Sequence, residues 1–221
     1  MGDGIADQTN FEALLYDVRE FSYERDNLYR EADKALERFG QALAEDDAAA
    51  MVKPTIYNMM GEYTFKLCHL ACQIEQELIR RANMIFELNP LSSRLEDPIC
   101  CELEDIPAAP PEENAHRQIS STAETAWREL GEFLCLACLG AESSFNKLAS
   151  GYGKNKERLG DGKWLEELES RFIQLGREEA LHRQEMAQFA QYLNGIAEYV
   201  KRLCENGDGD STMGRGRVLR K

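Results

Sequence analysis

The stretch EFLCLACLG, residues 132 to 140, sets Cys135 and Cys138 three positions apart inside an apolar run. That C-x-x-C spacing serves three roles: half of a zinc clamp, a redox dithiol, or packing alone, because a free thiol also behaves as a small hydrophobe. Zinc pairs of this spacing usually sit on a tight knuckle. Redox pairs usually open a helix, where the dipole lowers the thiol pKa. This pair falls in the middle of a helical pattern, which favours packing. If the second and third helices were antiparallel neighbours, Cys68 and Cys72 would stand level with residues 133 and 129, within about two turns of the pair. Height alone would then admit four thiolates around one zinc. Facing opposes it: Cys138 lies near its core line, whereas Cys135, Cys68 and Cys72 are turned about 100° to 140° from theirs.

A second chemical pattern is Glu-x-x-His, which occurs as Glu113 and His116 and again as Glu179 and His182. Both members of the later pair fall within about 40° of the apolar line through Leu168, Leu175, Met186 and Leu193. An inward Glu-x-x-His is half of the ligand set that ferritin-like dimetal proteins use, in which carboxylates bridge two metals and His completes each set. The other half is missing. In a hairpin of the third and fourth helices, His116 stands level with residue 197, about fifteen residues and roughly 22 Å from His182. His69 points away from its helix's core, with Lys66 where a partner Glu would be. The expectation is therefore a buried polar cluster of Glu179 and His182 with Tyr29 and Asp33, helping to fix helix register rather than holding a metal. Arg25, also on an apolar stripe, is the remaining inward charge, with Glu75 as its candidate partner.

These groups must be carried by long helices. Apolar residues recur at spacings of three and four through Phe11, Leu14, Val18, Phe21 to Leu43, and again through Ile56, Met60, Tyr63 to Leu88. Two further stripes run from Ile119 through Trp127 and Leu134 to Leu148, and from Leu168 through Leu175 to Val200. The spacing predicts helices over about 9–50, 54–89, 112–150 and 163–205, with Thr9 and Glu12 as a capping box and Pro54 in the first turn of the second. An acidic, Pro-containing linker spans 90–111, and it either turns back or runs the length of the bundle. Residues 1–8 and the basic-ended tail 206–221 are expected to be disordered. Helices of about 35 to 45 residues are roughly 50 to 65 Å long and cannot bury one stripe alone. The predicted fold is all-α: four long antiparallel helices in an elongated, coiled-coil-like bundle forming one domain, completed by dimerisation if the extra apolar surface demands it.

That extra surface lies off the core lines. Phe65, Cys68, Cys72 and Ile79 form a second apolar stripe on the second helix, and Cys135, Leu136 and Leu139 point outward on the third. A helix that is apolar all round is covered all round. These seven residues are the expected partner-binding face, for a protein partner or a second copy.

Composition narrows the rest. With 43% apolar and 30% charged residues, the chain's 221 positions supply a real core. A net charge of −14 argues against a nucleic-acid binder. The start lacks the basic and apolar regions of a secretory signal, and seven cysteines without a loop-rich framework read as reduced thiols, hence a cytoplasmic protein. No nucleotide loop, catalytic triad or paired-acid pocket stands out, so no cofactor and no enzymatic activity are expected. The leading expectation is a non-enzymatic scaffold or adaptor. The alternatives are a ferritin-like metal-binding protein using Glu179 and His182, and a curvature-sensing membrane dimer using the basic tip GYGKNKER with Lys163.

Overall fold

In a computed structural model, which describes residues 3–44, 46–86, 121–160 and 162–210, the chain forms four long helices and no strand among those residues. They are α1 (Asp3–Ala42), α2 (Asp47–Phe86), α3 (Ser121–Asn155) and α4 (Lys163–Asp210), with one 3-10 turn at Lys156–Arg158. No helix among the described residues is long and apolar enough to cross a membrane.

Packing partners define the layout. α1 packs against α2 and α3, and α4 packs against the same two, so α1 and α4 occupy one diagonal and α2 and α3 the other. Direction follows from which residues meet. Arg19 pairs with Glu75 while Lys53 lies against Gly40, so α2 runs opposite to α1. Phe21 meets Phe145 while Phe39 meets Trp127, so α3 also runs opposite to α1. α2 and α3 are therefore parallel, and the chain from Phe86 to Ser121 joins opposite ends of the bundle. Every closely packed pair is antiparallel, in a bundle with one long crossover.

The core is continuous from Phe11, Leu14 and Phe21 at one end to Leu36, Phe39 and Trp127 at the other, closed by Ile56, Leu67, Leu78, Leu134, Leu175 and Leu193. Two glycines set close approaches between α3 and α4. At Gly176 an added Cβ would stand 2.9 Å from Phe145 Cζ, and at Gly131 it would meet the Asn194 side chain.

Helix ends differ from the sequence pattern in instructive ways. α1 begins at Asp3, so Thr9 and Glu12 lie inside it rather than at its cap. α1 ends at Ala42 and α2 begins at Asp47, just after Asp46. Asp46 Oδ1 accepts from the backbone N–H of Ala48 at 2.8 Å, satisfying an orphan donor of α2. Pro54 consequently sits inside α2, beyond its first turn. α3 runs on through Gly151 and Gly153 to Asn155, and an added Cβ at Gly151 would meet the Asp17 side chain of α1. The true turn is at Gly160 and Gly162, whose φ of +95° and +90° lie in the left-handed region that glycine tolerates best.

Candidate functional site

Half-way along the bundle, two helices push charged and polar side chains into the apolar core. Arg25 of α1 and Glu179 and His182 of α4 are 1%, 0% and 1% exposed. Arg25 Nη2 lies 2.9 Å from Glu179 Oε2 and donates to the backbone oxygen of Ala141 on α3 at 2.7 Å. Its guanidinium also covers the Phe21 ring, 4.8 Å from the centroid. Arg183, one turn on from Glu179, places Nε 3.2 Å from Glu179 Oε1 and Nη1 3.0 Å from Glu142 of α3. Glu179 thus lies between two guanidinium groups. His182 stacks on Tyr63 of α2, centroids 4.6 Å apart and planes 9° from parallel. Tyr63 in turn donates its hydroxyl to Glu185 at 3.0 Å.

The electrostatics follow from burial. Desolvation raises the Glu179 carboxyl to a pKa of about 7, although Arg25 and Arg183 both pull it down. Desolvation, reinforced by the Arg25 charge, lowers His182 to about 3, so its imidazole is neutral at physiological pH. Among the described residues neither His182 nitrogen has a hydrogen-bond partner, nor do Arg25 Nε and Nη1. The layer is held by charge proximity and stacking more than by saturated hydrogen bonds.

Sequence reasoning placed Glu179 and His182 correctly in the core but gave them the wrong neighbours. Tyr29 packs on Tyr57 and against Gly61 instead, and Asp33 faces solvent. Arg25 occupies the position they were assigned. Glu75, weighed as the partner of Arg25, is bound by Arg19 at 2.6 Å. A lone Arg on an apolar stripe signals a buried acid opposite it, but two acids, Glu75 and Glu179, are buried, and interhelical register chose between them.

Among the described residues no group of three or more His, Cys, Asp or Glu side chains is placed to hold a metal. The thiols lie in separate grooves. Cys68 Sγ contacts the Ser22 carbonyl 3.6 Å away on α1, and Cys138 Sγ contacts the Arg183 carbonyl 3.5 Å away on α4. With α2 and α3 on a diagonal and parallel, the alignment that set Cys68 beside residue 133 does not exist. Burial raises the thiol pKa of both Cys72 and Cys138, the opposite of an activated redox pair.

The expected partner face divides in two. Phe65 on α2 is 52% exposed and stacks on His69, with Cys68 and Cys72 half-buried nearby, while Ile79 is buried at 8% in the chain's own core. Cys135, Leu136 and Leu139 are exposed on α3, across the diagonal. The basic tip is partly neutralised: Lys156 pairs with Glu169, Lys163 with Glu167, and Tyr152 stacks on Phe172 rather than standing free among the charges. Glu113, His116, the linker 90–111 and the tail beyond Asp210 lie outside the described residues. The chain matches no known family model, no curated protein and no solved structure.

Proposed function

We propose that this protein is a non-enzymatic helical scaffold or adaptor that acts by binding other protein surfaces. The observation that carries the reading is an inversion of ordinary burial. Glu179 and His182, the groups best suited to chemistry, are sealed from solvent, whereas Leu136 and Leu139 stand 67% and 62% exposed one turn apart. Exposed large apolar side chains grouped on one face mark interaction surfaces more often than isolated ones do. A cytoplasmic setting accords with the five described cysteines, all of them free thiols.

The test is affinity capture from the native host, followed by rebinding of the purified partner. The wild type is expected to retain a stoichiometric protein that Leu136→Asp/Leu139→Asp loses. Identical recovery by both forms, or none by either, would overturn the reading.

One observation favours a second reading. The inward Glu179-x-x-His182 lies in a bundle with a single long crossover, the connection that ferritin-like proteins also use. Against it, Arg25 and Arg183 already hold both oxygens of Glu179, and a guanidinium 2.9 Å away fills the space a metal would need. Metal analysis of protein purified without chelators decides between them: more than roughly a tenth of an equivalent of iron, manganese or zinc would favour the metal reading.

A further inference from the structure

The two ends of the long connection lie far apart. Pairing of Arg19 with Glu75 sets Phe86 level with the first turns of α1, and contact of Phe39 with Trp127 sets Ser121 level with the α1–α2 turn. Residues 87–120 therefore travel about 55 Å along the bundle axis, at 1.5 Å per residue of helix. Extended chain of that length reaches roughly 110 Å, so the connection has slack to follow what it crosses. Because α2 and α3 occupy one diagonal, it rounds either α1 or α4.

Those two helices offer it different surfaces. The exposed side of α1 is an ordinary solvent face, with Glu12, Arg30, Glu31, Lys34, Glu37 and Arg38. On α4, from Ser170 to Gly195, the exposed residues include Ile173, Ala180, Gln184, Ala187 and Gln191, and only Arg177 and Glu185 among them are charged. Glu185 is turned toward α2, where it accepts the Tyr63 hydroxyl. The stretch is about 37 Å long, most of the distance the connection has to cover. A depression of about 470 Å³ lies over Ser170, Ile173, Gln174 and Arg177, near the end of the bundle where α2 stops. It also takes in Glu166 and Glu169, the second of which holds Lys156.

We infer that residues 87–120 lie along the outer face of α4, crossing it from the end of α2 to the start of α3. The inference goes beyond the scaffold reading and does not rest on it. The first reason is desolvation. Arg30 and Lys34 of α1 are already held by Asp26 and Glu31, and a chain laid over them would bury charges that water now solvates, whereas Ala and Gln are covered at little cost. The second is charge: the segment carries eight acids against two arginines, and α4 turns Arg177 but no acid outward over this stretch. The third is pattern, because Leu91, Leu95, Ile99, Leu103 and Ile106 recur every three or four residues and can cover Ile173 and Leu181, which are 51% and 49% exposed. Tethering selects this occupant over a free partner, since both ends of the segment are anchored beside α4 and its effective concentration there is high. The covered face is then closed to partners, while Leu136, turned about 160° from the α4-facing Cys138, stays open.

The experiment joins the segment's own Cys100 and Cys101 to a thiol placed on either helix. Phe21 meets Phe145, which lies against Gly176, so Tyr23 of α1 and Ala180 of α4 stand at nearly the same height, and both are exposed. Ala180→Cys and Tyr23→Cys full-length chains are treated with a short bismaleimide at low protein concentration. Joined peptides are identified by mass in the monomeric fraction, normalised to reaction of each thiol with a monofunctional maleimide. Unchanged helicity and thermal midpoint verify folding. Joining to Cys100 or Cys101 is expected to be at least about fivefold greater from position 180 than from position 23. Adding Gln184→Glu/Gln188→Glu should at least halve it, because new acids repel the acidic segment. Equal or greater joining from position 23, joining only between molecules, or none from either position overturns the inference. So does joining that the added acids leave unchanged, since a chain that merely passes nearby would not respond to them. None of these outcomes touches the capture experiment, so the broader reading fails or survives separately.

Discussion

Two regions of this molecule reverse the usual distribution of polarity. The layer of Arg25, Glu179 and His182 puts ionisable groups where hydrocarbon is the rule, and the α3–α4 outer face puts Leu, Ala and uncharged Gln where charge is the rule. The first is closed by its own chain: Arg25 and Arg183 answer Glu179, and Tyr63 covers His182. The second is answered by nothing among the described residues. A buried polar group left without a partner costs stability, whereas an exposed apolar group costs little until something comes to cover it. The inner region therefore concerns how the bundle folds, and the outer one concerns what the folded bundle meets.

The comparison breaks most visibly at Glu179. Glu179→Leu strands the Arg25 guanidinium in the core and is expected to lower unfolding stability by about 3–5 kcal/mol, read from urea midpoints. A loss below about 1 kcal/mol would mean that Arg25 escapes to water and that the layer is not sealed. Adding Arg25→Met should recover most of the deficit, because replacing both ions with apolar groups of similar volume is often neutral or stabilising. Persistent instability of the double variant would show that the Ala141 contact, not the ion pair, holds the layer.

A smaller effect lies in the pH profile, where the two titrating groups oppose each other. Glu179 prefers its proton in the folded state, at about 7 against an ordinary 4.5. Its contribution is full at low pH and is lost as pH rises through 7. His182 prefers to stay neutral when folded, at about 3 against an ordinary 6.5. Its contribution is present above pH 6.5 and is lost as pH falls toward 3. Between about 4.5 and 6.5 the two slopes partly cancel. His182→Phe should expose the Glu179 slope, with stability falling as pH rises, and Glu179→Gln should expose the His182 slope, with stability falling as pH drops. Urea midpoints at several pH values check this, and parallel profiles for all three proteins would refute the assignment.

The smallest effect on folding is expected at the outer face. Leu136→Gln/Leu139→Gln should shift the unfolding midpoint of dilute protein by no more than about 0.5 kcal/mol. A large loss in dilute protein would mean that these leucines are covered by their own chain.

How much of this was legible beforehand depends on range. The three-and-four spacing of Leu168, Leu175, Met186 and Leu193 placed Glu179 and His182 inside the bundle, because facing on a helix follows from about 100° per residue and needs no partner. The outwardness of Leu136 and Leu139 was readable for the same reason. The identity of the group opposite Glu179 was not. Tyr29 and Asp33 are only one and two turns beyond Arg25 on α1, so an uncertainty of a turn in alignment was enough to choose wrongly. The start of α2 was missed because Asp46, eight residues before the obvious marker Pro54, supplies the cap. Ile79 read as part of an outward stripe, yet it is buried in the core.

By itself the sequence determined that four long amphipathic helices form and which side of each is apolar, since both properties arise from residues within a turn or two of one another. Only the tertiary structure decided that α2 and α3 lie parallel on a diagonal and that Arg25 rather than Tyr29 meets Glu179. Those outcomes depend on interhelical register and on the direction of the long connection. Both are set by packing among residues far apart in the chain, from 45 positions for Cys138 and Arg183 to 116 for Arg25 and Ala141, and no local period encodes them.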